Sequence, residues 1–574
     1  MKELFTRRVL GVDVVIAALG DIVNFIEKNE EKLRGRYIYL ATVNSFLLAQ
    51  RDSAFSDFLS GAAFVLSQSE QILWGLRMDG FEEADSVTLD KLKSQLSEDT
   101  KSKVIFLRED ELKEGESVAD HAAEAGKLVI CQGRRPSMAD RVRFSARLFF
   151  DTGKHDKGTA DEKKKILIYA HYYYPDVAST GQILTELAEG LKEFLDVTVI
   201  CTVPSYTSEV DSYYKKHNYY PESINGVEVL RVRVPVFRKS YAVSRIINIV
   251  SYFFSAIKAT FRVGRQDYIY TISQPPILGG LLGVVGKLIK GGKLIYNIQD
   301  FNPEQVQAVS FTANRFVLGL MMKLDKFSCR KASKVIVVGR DMVETLKSRF
   351  GGKPPGYVHI NNWIDEKTIV PLPKDHPKVL AFKEKYGLKD KFVIMYSGNI
   401  GLYYDLLEIE KLIEGFKEYK DVVFAFVGQG AVLEEMTSCK KAHHLDNVVF
   451  IPYQDKEDLV YSLNAGDVHF VVNAKGIKGV SVPSKIYGVM AVGKPVLGIL
   501  EEGSEARLIV EEADCGRVVA PSDYPAITDL IRFFIERRND NELLDMGLRG
   551  RQFLDKNLAR HISIERYADE ILSL

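Results

Sequence analysis

The sequence predicts an α/β protein: two facing Rossmann-like domains with parallel sheets, preceded by a smaller α/β domain. Three observations support this. Short apolar runs alternate with segments of helical spacing, the alternation occurs in two separate series, and a charged stretch precedes the first series. Strands that alternate with helices form right-handed βαβ units with parallel strands. Ligands of such sheets bind at the carboxyl ends of the strands.

The first series follows the charged stretch. A strand over Ile166–Tyr172 precedes a segment of helical spacing over Thr180–Phe194, and Val197–Val203 is again strand-like. The pattern recurs at Lys293–Asp300 and Lys334–Gly339. These alternations predict the first parallel sheet.

The second series begins near residue 390. Phe392–Gly398 predicts a strand that is followed by a helix from about Tyr404. Four more apolar runs predict the remaining strands: Val422–Gly428, Asn447–Pro452, Asp467–Val472 and Pro495–Leu500.

Residues 151–165 are polar and lack apolar periodicity, so they predict a linker, with a long surface loop as the alternative. The expected domains are then residues 1–150, 166–372 and 373–574. We expect the last domain to end in a helix that crosses back to the one before it.

The composition and net charge restrict the classes of partner that the protein is expected to bind. Of the 574 residues, 46% are hydrophobic and 27% charged, which is typical of a globular protein. Lys plus Arg and Asp plus Glu number 77 each, so net charge favours neither nucleic acid nor an acidic partner. We therefore expect no nucleic-acid partner.

The five cysteines are widely spaced and form no CxxC pair, which predicts a reducing compartment without disulfides or a zinc site. The N-terminus lacks a convincing cleavage site, and we expect it to be folded protein. No segment reaches the roughly 18–20 uncharged apolar residues that span a bilayer.

Two glycine-containing loops predict ligand contacts. Ser179, Thr180 and Gly181 open a helix, whose free N–H groups can bind an anion or a sugar hydroxyl, although an ordinary helix cap is the alternative. In the second series, Gly398 and Gly401 allow close approach of a ligand to the backbone, and a tight turn is the alternative there.

The segment Lys478–Gly498 is the most informative. Ser481, Pro483 and Ser484 predict a helix start that serine hydroxyls cap. Lys485 lies in the first turn, where a cation opposes the helix dipole. A bound diphosphate would remove that conflict, because it would meet both the N–H groups and the ammonium group. A solvated surface lysine is the alternative.

Short motifs along residues 164–574 resemble the family-4 retaining glycosyltransferases of the GT-B fold, and within them the fucosaminyltransferase-like enzymes. The motifs that carry the resemblance are Tyr173–Pro175 with Thr180–Gly181, Pro204–Tyr206, Pro275–Pro276, Asp300–Glu304, Asn362–Asp365, Tyr396–Gly401, Val482–Lys485, Met490–Ala491 and Gly493–Pro495.

The resemblance implies that the C-terminal Rossmann domain binds a nucleotide sugar and the N-terminal one an acceptor. Gly398, Asn399, Ser484 and Lys485 would lie near the donor diphosphate, and Asp300 near the cleft on the acceptor side. The family needs no bound metal or other cofactor, since basic residues and a helix terminus hold the diphosphate. Lys485 is suited to stabilise the leaving phosphate.

The sequence departs from the family pattern at one place. Many family-4 enzymes carry two glutamates before the Met-Ala motif, and here Val480 and Gly488 stand at those positions. Contacts to the ribose and the donor sugar would then come from elsewhere, with Glu505, Glu511 or Glu512 as candidates.

The segment over residues 237–266 predicts an amphipathic helix. Arg245, Asn248, Tyr252, Ser255, Lys258, Arg262 and Arg265 follow one stripe, and Ile246, Ile249, Val250, Phe253, Phe254 and Ile257 fill the other side. A cationic face of this kind can lie on an anionic membrane, and Arg245, Lys258, Arg262 and Arg265 are the predicted membrane contacts. A core helix with a basic edge is the alternative.

The first 150 residues resemble part of family 26, the N-acetylmannosaminyltransferase-like enzymes, through Gly11–Val15, Tyr37–Phe55 and Gln71–Phe81. Asn44 lies in that family's TVN motif, but Gln68-Ser69 replace the usual catalytic Asp-Gly when Trp74 and Arg77 are aligned. Without the carboxylate the acid/base group is missing. We expect a degenerate domain that docks, dimerises or regulates, with a second active site as the alternative.

The expected function is transfer of a sugar, with retention, from a nucleotide diphosphate such as UDP to a lipid-linked or saccharide acceptor. The expected place is the inner face of the bacterial cell membrane, in surface-polysaccharide synthesis. Residues 1–150 would contact a second copy or other polysaccharide enzymes. The alternatives are a nucleotide-sugar 2-epimerase and a catalytically inactive scaffold.

Overall fold

A computed structural model describes the chain over residues 5–9, 12–16, 19–33, 36–41, 59, 62, 64–67, 89–108, 128–132, 163–176, 179–205, 210–235, 242–309 and 314–574. These form two compact units. The first comprises the described residues before 163 with 257–267 and 286–292, and the second comprises the rest.

The first unit contains an antiparallel pair of strands and a four-stranded parallel sheet with the order β4-β3-β6-β5. Its elements are β1 (Phe5–Val9), β2 (Val12–Ile16), α1 (Leu19–Lys28), β3 (Tyr37–Ala41), β4 (Phe64–Ser67), α2 (Leu89–Gln95), α3 (Glu98–Ser102), β5 (Val104–Arg108) and β6 (Leu128–Gln132). Buried side chains of β3 and β6 pack against α1 and α2. Asn44, Gln68, Ser69, Trp74 and Arg77 lie outside the described residues.

The second unit begins with an eight-stranded sheet of the order β14-β13-β12-β11-β7-β8-β10-β9. Its elements are β7 (Lys165–Ala170), α4 (Ser179–Leu191), β8 (Asp196–Thr202), β9 (Tyr219–Ile224), β10 (Val227–Val232), α5 (Ala242–Thr260), β11 (Tyr268–Ile272), α6 (Leu278–Lys290), β12 (Lys293–Ile298), α7 (Asn302–Val309), α8 (Arg315–Lys331), β13 (Lys334–Val337), α9 (Arg340–Arg349) and β14 (Tyr357–His359). All neighbours are parallel except β9 and β10, which form a hairpin.

A second, six-stranded sheet follows, parallel throughout, with the order β17-β16-β15-β18-β19-β20. Its elements are α10 (Pro377–Lys385), β15 (Phe392–Ser397), α11 (Leu406–Leu412), β16 (Val422–Val427), α12 (Leu433–Ala442), β17 (Val448–Ile451), α13 (Leu459–Ala465), β18 (Val468–Val472), α14 (Lys485–Ala491), β19 (Val496–Ile499), α15 (Glu505–Ala513), β20 (Gly516–Val519), α16 (Tyr524–Glu536), α17 (Asn541–Asn557) and α18 (Arg560–Leu572). Every residue of β16 is buried, as expected for a strand covered by helices on both faces.

The last helix, α18, packs on the eight-stranded sheet. Its residues Tyr567, Ala568 and Ile571 belong to the same buried cluster as side chains of β7 and β11. Ile564 lies so close to Gly190 of α4 that a Cβ at residue 190 would stand 2.4 Å from Ile564 Cδ1. The C-terminus of the chain therefore completes the core of the N-terminal Rossmann domain.

The structure refines the start of one predicted helix and shortens another. After β15 the chain first makes a short 3₁₀ helix, Leu402–Tyr404, and α11 begins only at Leu406. Helix α5 ends at Thr260, so Arg262 and Arg265 lie beyond it. In the part of the chain that the structure describes, no helix is both long and apolar enough to cross a bilayer.

Candidate functional site

Asp300 stands just past the carboxyl end of β12, in a turn that Ser273 organises. The Ser273 hydroxyl accepts hydrogen bonds from the backbone N–H groups of Gln299 (3.1 Å) and Asp300 (3.2 Å). The Asn302 side chain donates to the Ser273 carbonyl at 2.9 Å. Because Ser273 follows the neighbouring strand β11, the turn is fixed by adjacent strand ends. We call Asp300 and its surroundings the N-terminal wall.

The carboxyl group of Asp300 is held away from water and from cations. Burial raises its pKa to about 6, although hydrogen bonds from the side chains of Gln274 and Ser481 oppose that shift. Among the described residues, no lysine or arginine forms an ion pair with it. Asp300 is therefore mostly ionised at neutral pH and close to its titration range.

The opposite wall, which we call the C-terminal wall, is built from the loop after β15. Gly398 has φ = +143°, a conformation that disfavours any other residue. A Cβ there would lie 2.7 Å from Lys485 Cε, so the glycine also makes room for the lysine side chain. The exposed Asn399 follows, and its carbonyl accepts a 2.6 Å hydrogen bond from the Tyr396 hydroxyl.

Lys485 is the first residue of α14, and its ammonium group lies against aromatic rings. Nζ is 3.7 Å from the centre of the Tyr404 ring and 5.2 Å from that of Tyr396. Removal from water lowers the pKa of Lys485 to about 7, and no charged partner opposes that shift. A cation held by ring faces alone remains available to an anionic ligand.

Ser484 occupies the N-cap position of α14 but makes no capping hydrogen bond, contrary to the expected cap. Its side chain is exposed. Gly401 precedes the 3₁₀ helix, and a Cβ there would lie 2.9 Å from Asn399 Nδ2. The structure thus brings together Gly398, Asn399, Gly401 and Lys485, beside Ser484.

The two walls meet through the segment that leads into α14. The Phe301 N–H donates to the Val480 carbonyl at 2.9 Å, and Asp300 forms a β-bridge with Ser481. The negative charge of Asp300 also contributes to the raised pKa of Tyr404, which burial brings to about 12. Tyr404 is therefore the shared neighbour of Asp300 and Lys485.

Glu505 and Glu511, the candidate substitutes for the missing glutamates, have different surroundings. Glu505 is 1% exposed and accepts hydrogen bonds from the Arg340 backbone (2.7 Å), the Arg340 side chain (2.9 Å) and Asn361 (2.8 Å). Glu511 is half-exposed and pairs with Arg507 on its own helix. Glu512 pairs with Arg340 at 2.5 Å. All three carboxylates have protein partners.

The positions of the missing glutamates are apolar. Val480 is buried in a cluster with Phe301 and Val337. Gly488 is buried in α14, and a Cβ there would lie 3.5 Å from Ile364 and Leu463 side-chain carbons.

Ser179, Thr180 and Gly181 form the first turn of α4, at the carboxyl edge of the eight-stranded sheet. A Cβ on Gly181 would approach the Tyr172 carbonyl to 3.2 Å, so helix and loop pack closely. The Thr185 hydroxyl joins the two by donating to the Gly181 carbonyl and accepting from the Tyr174 N–H. This turn shares the sheet edge with Asp300.

Helix α5 presents different faces from those predicted. Asn248 and Tyr252, placed on the membrane stripe, are each 1% exposed and hydrogen-bond the protein interior. The exposed apolar side chains of the helix include Val243 (69%), Ile246 (60%) and Phe254 (58%). The assignment of Asn248 and Tyr252 to an outer face is therefore wrong, because polar residues of this helix bond the sheet and loops while apolar ones face outward. Arg245, Lys258, Arg262 and Arg265 are exposed.

The sequence did not single out Tyr403, Tyr404, Gln274 or His171 as site residues, and it indicated Ser481 only as part of a helix start. Tyr403 and Tyr404 follow the Gly398–Gly401 loop after a single leucine, so the adjacent tyrosines were the available signal. Among the described residues, no group of three or more His, Cys, Asp or Glu side chains is arranged to hold a metal ion.

Comparisons with known proteins relate this architecture to glycosyltransferases. Residues 380–553 match the family "Glycosyl transferases group 1". The chain is 29% identical to the probable glycosyltransferase WbjE of Pseudomonas aeruginosa, over 58% of this chain and 82% of that protein. It is 24% identical to the putative colanic acid biosynthesis glycosyl transferase WcaI of Escherichia coli, over 57% and 81%.

Solved structures show the same fold at low identity. Sucrose-phosphate synthase of Thermosynechococcus elongatus matches with a TM-score of 0.57 and 16% identity, over 72% of this chain and 99% of that one. Anabaena HepE, in complex with UDP and glucose, matches with a TM-score of 0.52 and 14% identity, over 72% and 100%. The fold is therefore that of GT-B glycosyltransferases with an additional N-terminal α/β region, and residues 380–553 are similar to the group 1 glycosyl transferases.

Proposed function

We propose that the protein transfers a sugar from a nucleoside diphosphate, UDP being the expected one, to a lipid-linked or saccharide acceptor, with retention of anomeric configuration. The observation that carries the proposal is the Lys485 ammonium group, which lies across Gly398, pairs with no carboxylate among the described residues and shares Tyr404 with Asp300. The relatives named for glycosyl transfer and colanic acid biosynthesis support a role in bacterial surface polysaccharides.

The donor diphosphate would lie against Lys485, Asn399 and the backbone of Gly398. As the bond between the anomeric carbon and the phosphate oxygen breaks, negative charge grows on the leaving diphosphate. Lys485 stabilises that charge, and a bound phosphate favours the protonated form of the lysine. We propose that no metal cofactor is needed, because the ammonium group supplies the charge that a divalent ion would otherwise provide.

Asp300 would lie beside the reacting sugar, on the acceptor side. Retention places the acceptor hydroxyl and the leaving phosphate on the same face of the sugar. The new bond joins the acceptor oxygen to the anomeric carbon, and the hydroxyl proton leaves with the diphosphate. An ionised Asp300 orients that hydroxyl as a hydrogen-bond acceptor and stabilises positive charge on the sugar ring.

The transfer test uses purified protein with a panel of UDP- and GDP-sugars and an extract of bacterial polyprenyl lipids. We expect one UDP-sugar to label the lipid fraction, and NMR of the product to show the anomeric configuration of the donor. An inverted product would contradict retention. Conversion of the nucleotide sugar without any acceptor would instead favour an epimerase.

We also propose attachment to the cytoplasmic face of the membrane through the outward apolar side chains of α5. Val243, Ile246, Ile247, Val250 and Phe254 are exposed on one helix, and a lipid surface would remove them from water. Flotation with phosphatidylglycerol vesicles tests this. Ile246→Glu should reduce the bound fraction, whereas Leu380→Glu, at an exposed leucine of α10, should not. Equal binding of both variants would contradict attachment through α5.

The first 150 residues would dock a second copy or another polysaccharide enzyme. Sedimentation of the whole protein and of a chain that begins at Lys163 tests this proposal, because loss of self-association in the shorter chain alone would support it. Unchanged association would contradict self-docking through this region.

A further inference from the structure

The first turn of α5 lies at the same edge of the N-terminal sheet as Asp300. Helix α5 connects β10 to β11, and these strands run in the same direction within one sheet. A helix that connects parallel strands runs back from their carboxyl ends, so its N-terminus lies at the carboxyl edge. Arg245, in the first turns of α5, is therefore close to the edge where Asp300 follows β12 and His171 follows β7.

Contacts one turn further along α5 show which way this part of the helix faces. The Asn248 Oδ1 atom is 3.0 Å from His171 Nε2, and the Asn248 amide donates to the Pro235 carbonyl at 2.8 Å. Arg245 and Asn248 are three residues apart and share a helix face. Asn248 is buried whereas Arg245 is exposed, and the Arg245 charge is near enough to His171 to affect the pKa of the imidazole.

Arg245 lies near a group of each wall, and among the described residues no carboxylate pairs with it. No ion pair of Arg245 occurs within the described ranges, 5–309 and 314–574 with their internal gaps. Its positive charge acts on one group of each wall. It adds to the burial that lowers the pKa of His171 to about 4, and it opposes the rise that burial and Asp300 cause in the pKa of Tyr403. The cation is therefore close to Tyr403, which also neighbours Asp300.

We propose that Arg245 binds a phosphate group of the acceptor substrate, which makes it a specificity-determining residue on the N-terminal wall. The inference rests on the proposed function, in which Lys485 holds the donor diphosphate on the other wall. A guanidinium group offers a planar pair of N–H donors that matches two phosphate oxygens, and it stays charged at any physiological pH. The phosphate could belong to a polyprenyl diphosphate or to a phosphorylated saccharide.

The test is calorimetric titration of the whole protein, saturated with UDP, with pyrophosphate and separately with farnesyl diphosphate. Saturation with UDP keeps both probes from the site at Lys485. We expect Arg245→Gln to weaken binding of the probes by about 10- to 100-fold, which corresponds to the loss of charged hydrogen bonds. Arg245→Lys keeps the charge without the paired donors and should fall between. Arg315→Gln, at another exposed arginine in the first turn of a helix, should leave binding unchanged.

The two probes distinguish the sources of the phosphate. If binding of both probes depends on Arg245 and farnesyl diphosphate binds more tightly than pyrophosphate, the acceptor phosphate belongs to a lipid diphosphate. If both probes bind equally and both depend on Arg245, the phosphate belongs to a phosphorylated saccharide. Absence of binding to wild type, or equal binding to wild type and Arg245→Gln, would overturn the inference. If UDP binds normally in that case, the proposed function stands; if wild type does not bind UDP, the proposed function itself fails.

Discussion

Each wall of the cleft holds an ionisable side chain whose pKa is shifted by burial, a lysine on one wall and an aspartate on the other. On the C-terminal wall a lysine is held against Tyr404 and Tyr396, and no carboxylate in the described part of the chain pairs with it. On the N-terminal wall a carboxyl group is held by hydrogen bonds from neutral side chains, away from cations. Burial therefore moves the pKa values of Lys485 and Asp300 toward neutrality from opposite directions.

The two Rossmann domains also meet at Glu505, where the charged groups are paired within the protein. Glu505 of the C-terminal domain is buried, and its carboxylate is bonded by Arg340 and Asn361. The charges of Arg340 and Glu505 neutralise each other within the protein, as is expected of a structural ion pair. Among the described residues, neither Lys485 nor Asp300 has an oppositely charged partner, so both groups remain available to charged parts of a substrate.

The largest expected effect is that of Lys485→Ala. We expect sugar transfer to fall at least about 100-fold, because one donor to the developing phosphate charge is lost. Release of UDP from the preferred UDP-sugar measures it. Lys420→Ala, at an exposed lysine of the same domain, is the control and should retain full activity. Near-normal transfer by Lys485→Ala would refute the assignment of this wall to the diphosphate.

Asp300→Asn should reduce transfer by about 100-fold while UDP affinity stays within about twofold of wild type. The amide keeps the shape of the side chain but removes the charge that faces the sugar. Steady-state transfer and UDP calorimetry on the same preparation separate the two effects. In wild type, transfer should also decline as pH falls below about 6, where Asp300 becomes protonated. A variant that loses UDP binding instead would move Asp300 to the donor side.

The variant Arg340→Ala removes the ion pair between Arg340 and the buried Glu505. Arg340 is 39% exposed and Glu505 1%, so the loss leaves a buried carboxylate with fewer donors. We expect the free energy of unfolding to fall by about 2 kcal/mol, less than for a fully buried pair because water reaches the arginine. Urea unfolding measures this. Glu511→Gln, which breaks an exposed pair, should change stability by less than about 0.5 kcal/mol. Equal losses of unfolding free energy in Arg340→Ala and Glu511→Gln would show that the Arg340–Glu505 pair stabilises the fold no more than an exposed pair does.

Over a single pH unit, the smallest expected effect is the pH dependence of UDP affinity. In the empty site Lys485 loses its proton above about pH 7, and bound phosphate favours the protonated form. Above that pH, binding must therefore take up a proton, and affinity should fall by up to about tenfold per pH unit. Calorimetry between pH 7 and 9, in buffers of different ionisation enthalpy, measures the uptake. Lys485→Arg keeps the charge and should remove the slope.

Much of this arrangement follows from local sequence. The continuous apolar runs of β15, β16 and β18 are typical of covered parallel strands, and their carboxyl ends locate the loops that carry Gly398 and the segment before Lys485. Lys485 could be singled out because a cation in the first turn of a helix breaks a local rule. Such local signals do not depend on the rest of the chain.

What the sequence could not predict depends on distant contacts. The position of Lys485 Nζ over Tyr404 joins residues 81 positions apart, and the Asp300–Ser481 bridge joins two domains. The periodicity of α5 also indicated two faces without indicating which face is buried. Asn248 and Tyr252 are buried because they form hydrogen bonds to distant groups, which are His171, the Pro235 carbonyl and the β8 backbone. Burial of polar residues is decided by those partners.

Calorimetric titration of the wild type and of Lys485→Ala with UDP and GDP, without added metal, shows whether the Lys485 ammonium group binds a nucleoside diphosphate. We expect the wild type to bind UDP and the variant, although folded, to lose most of this affinity. Equal binding of UDP by both proteins, or binding of neither nucleotide by wild type, would contradict this expectation.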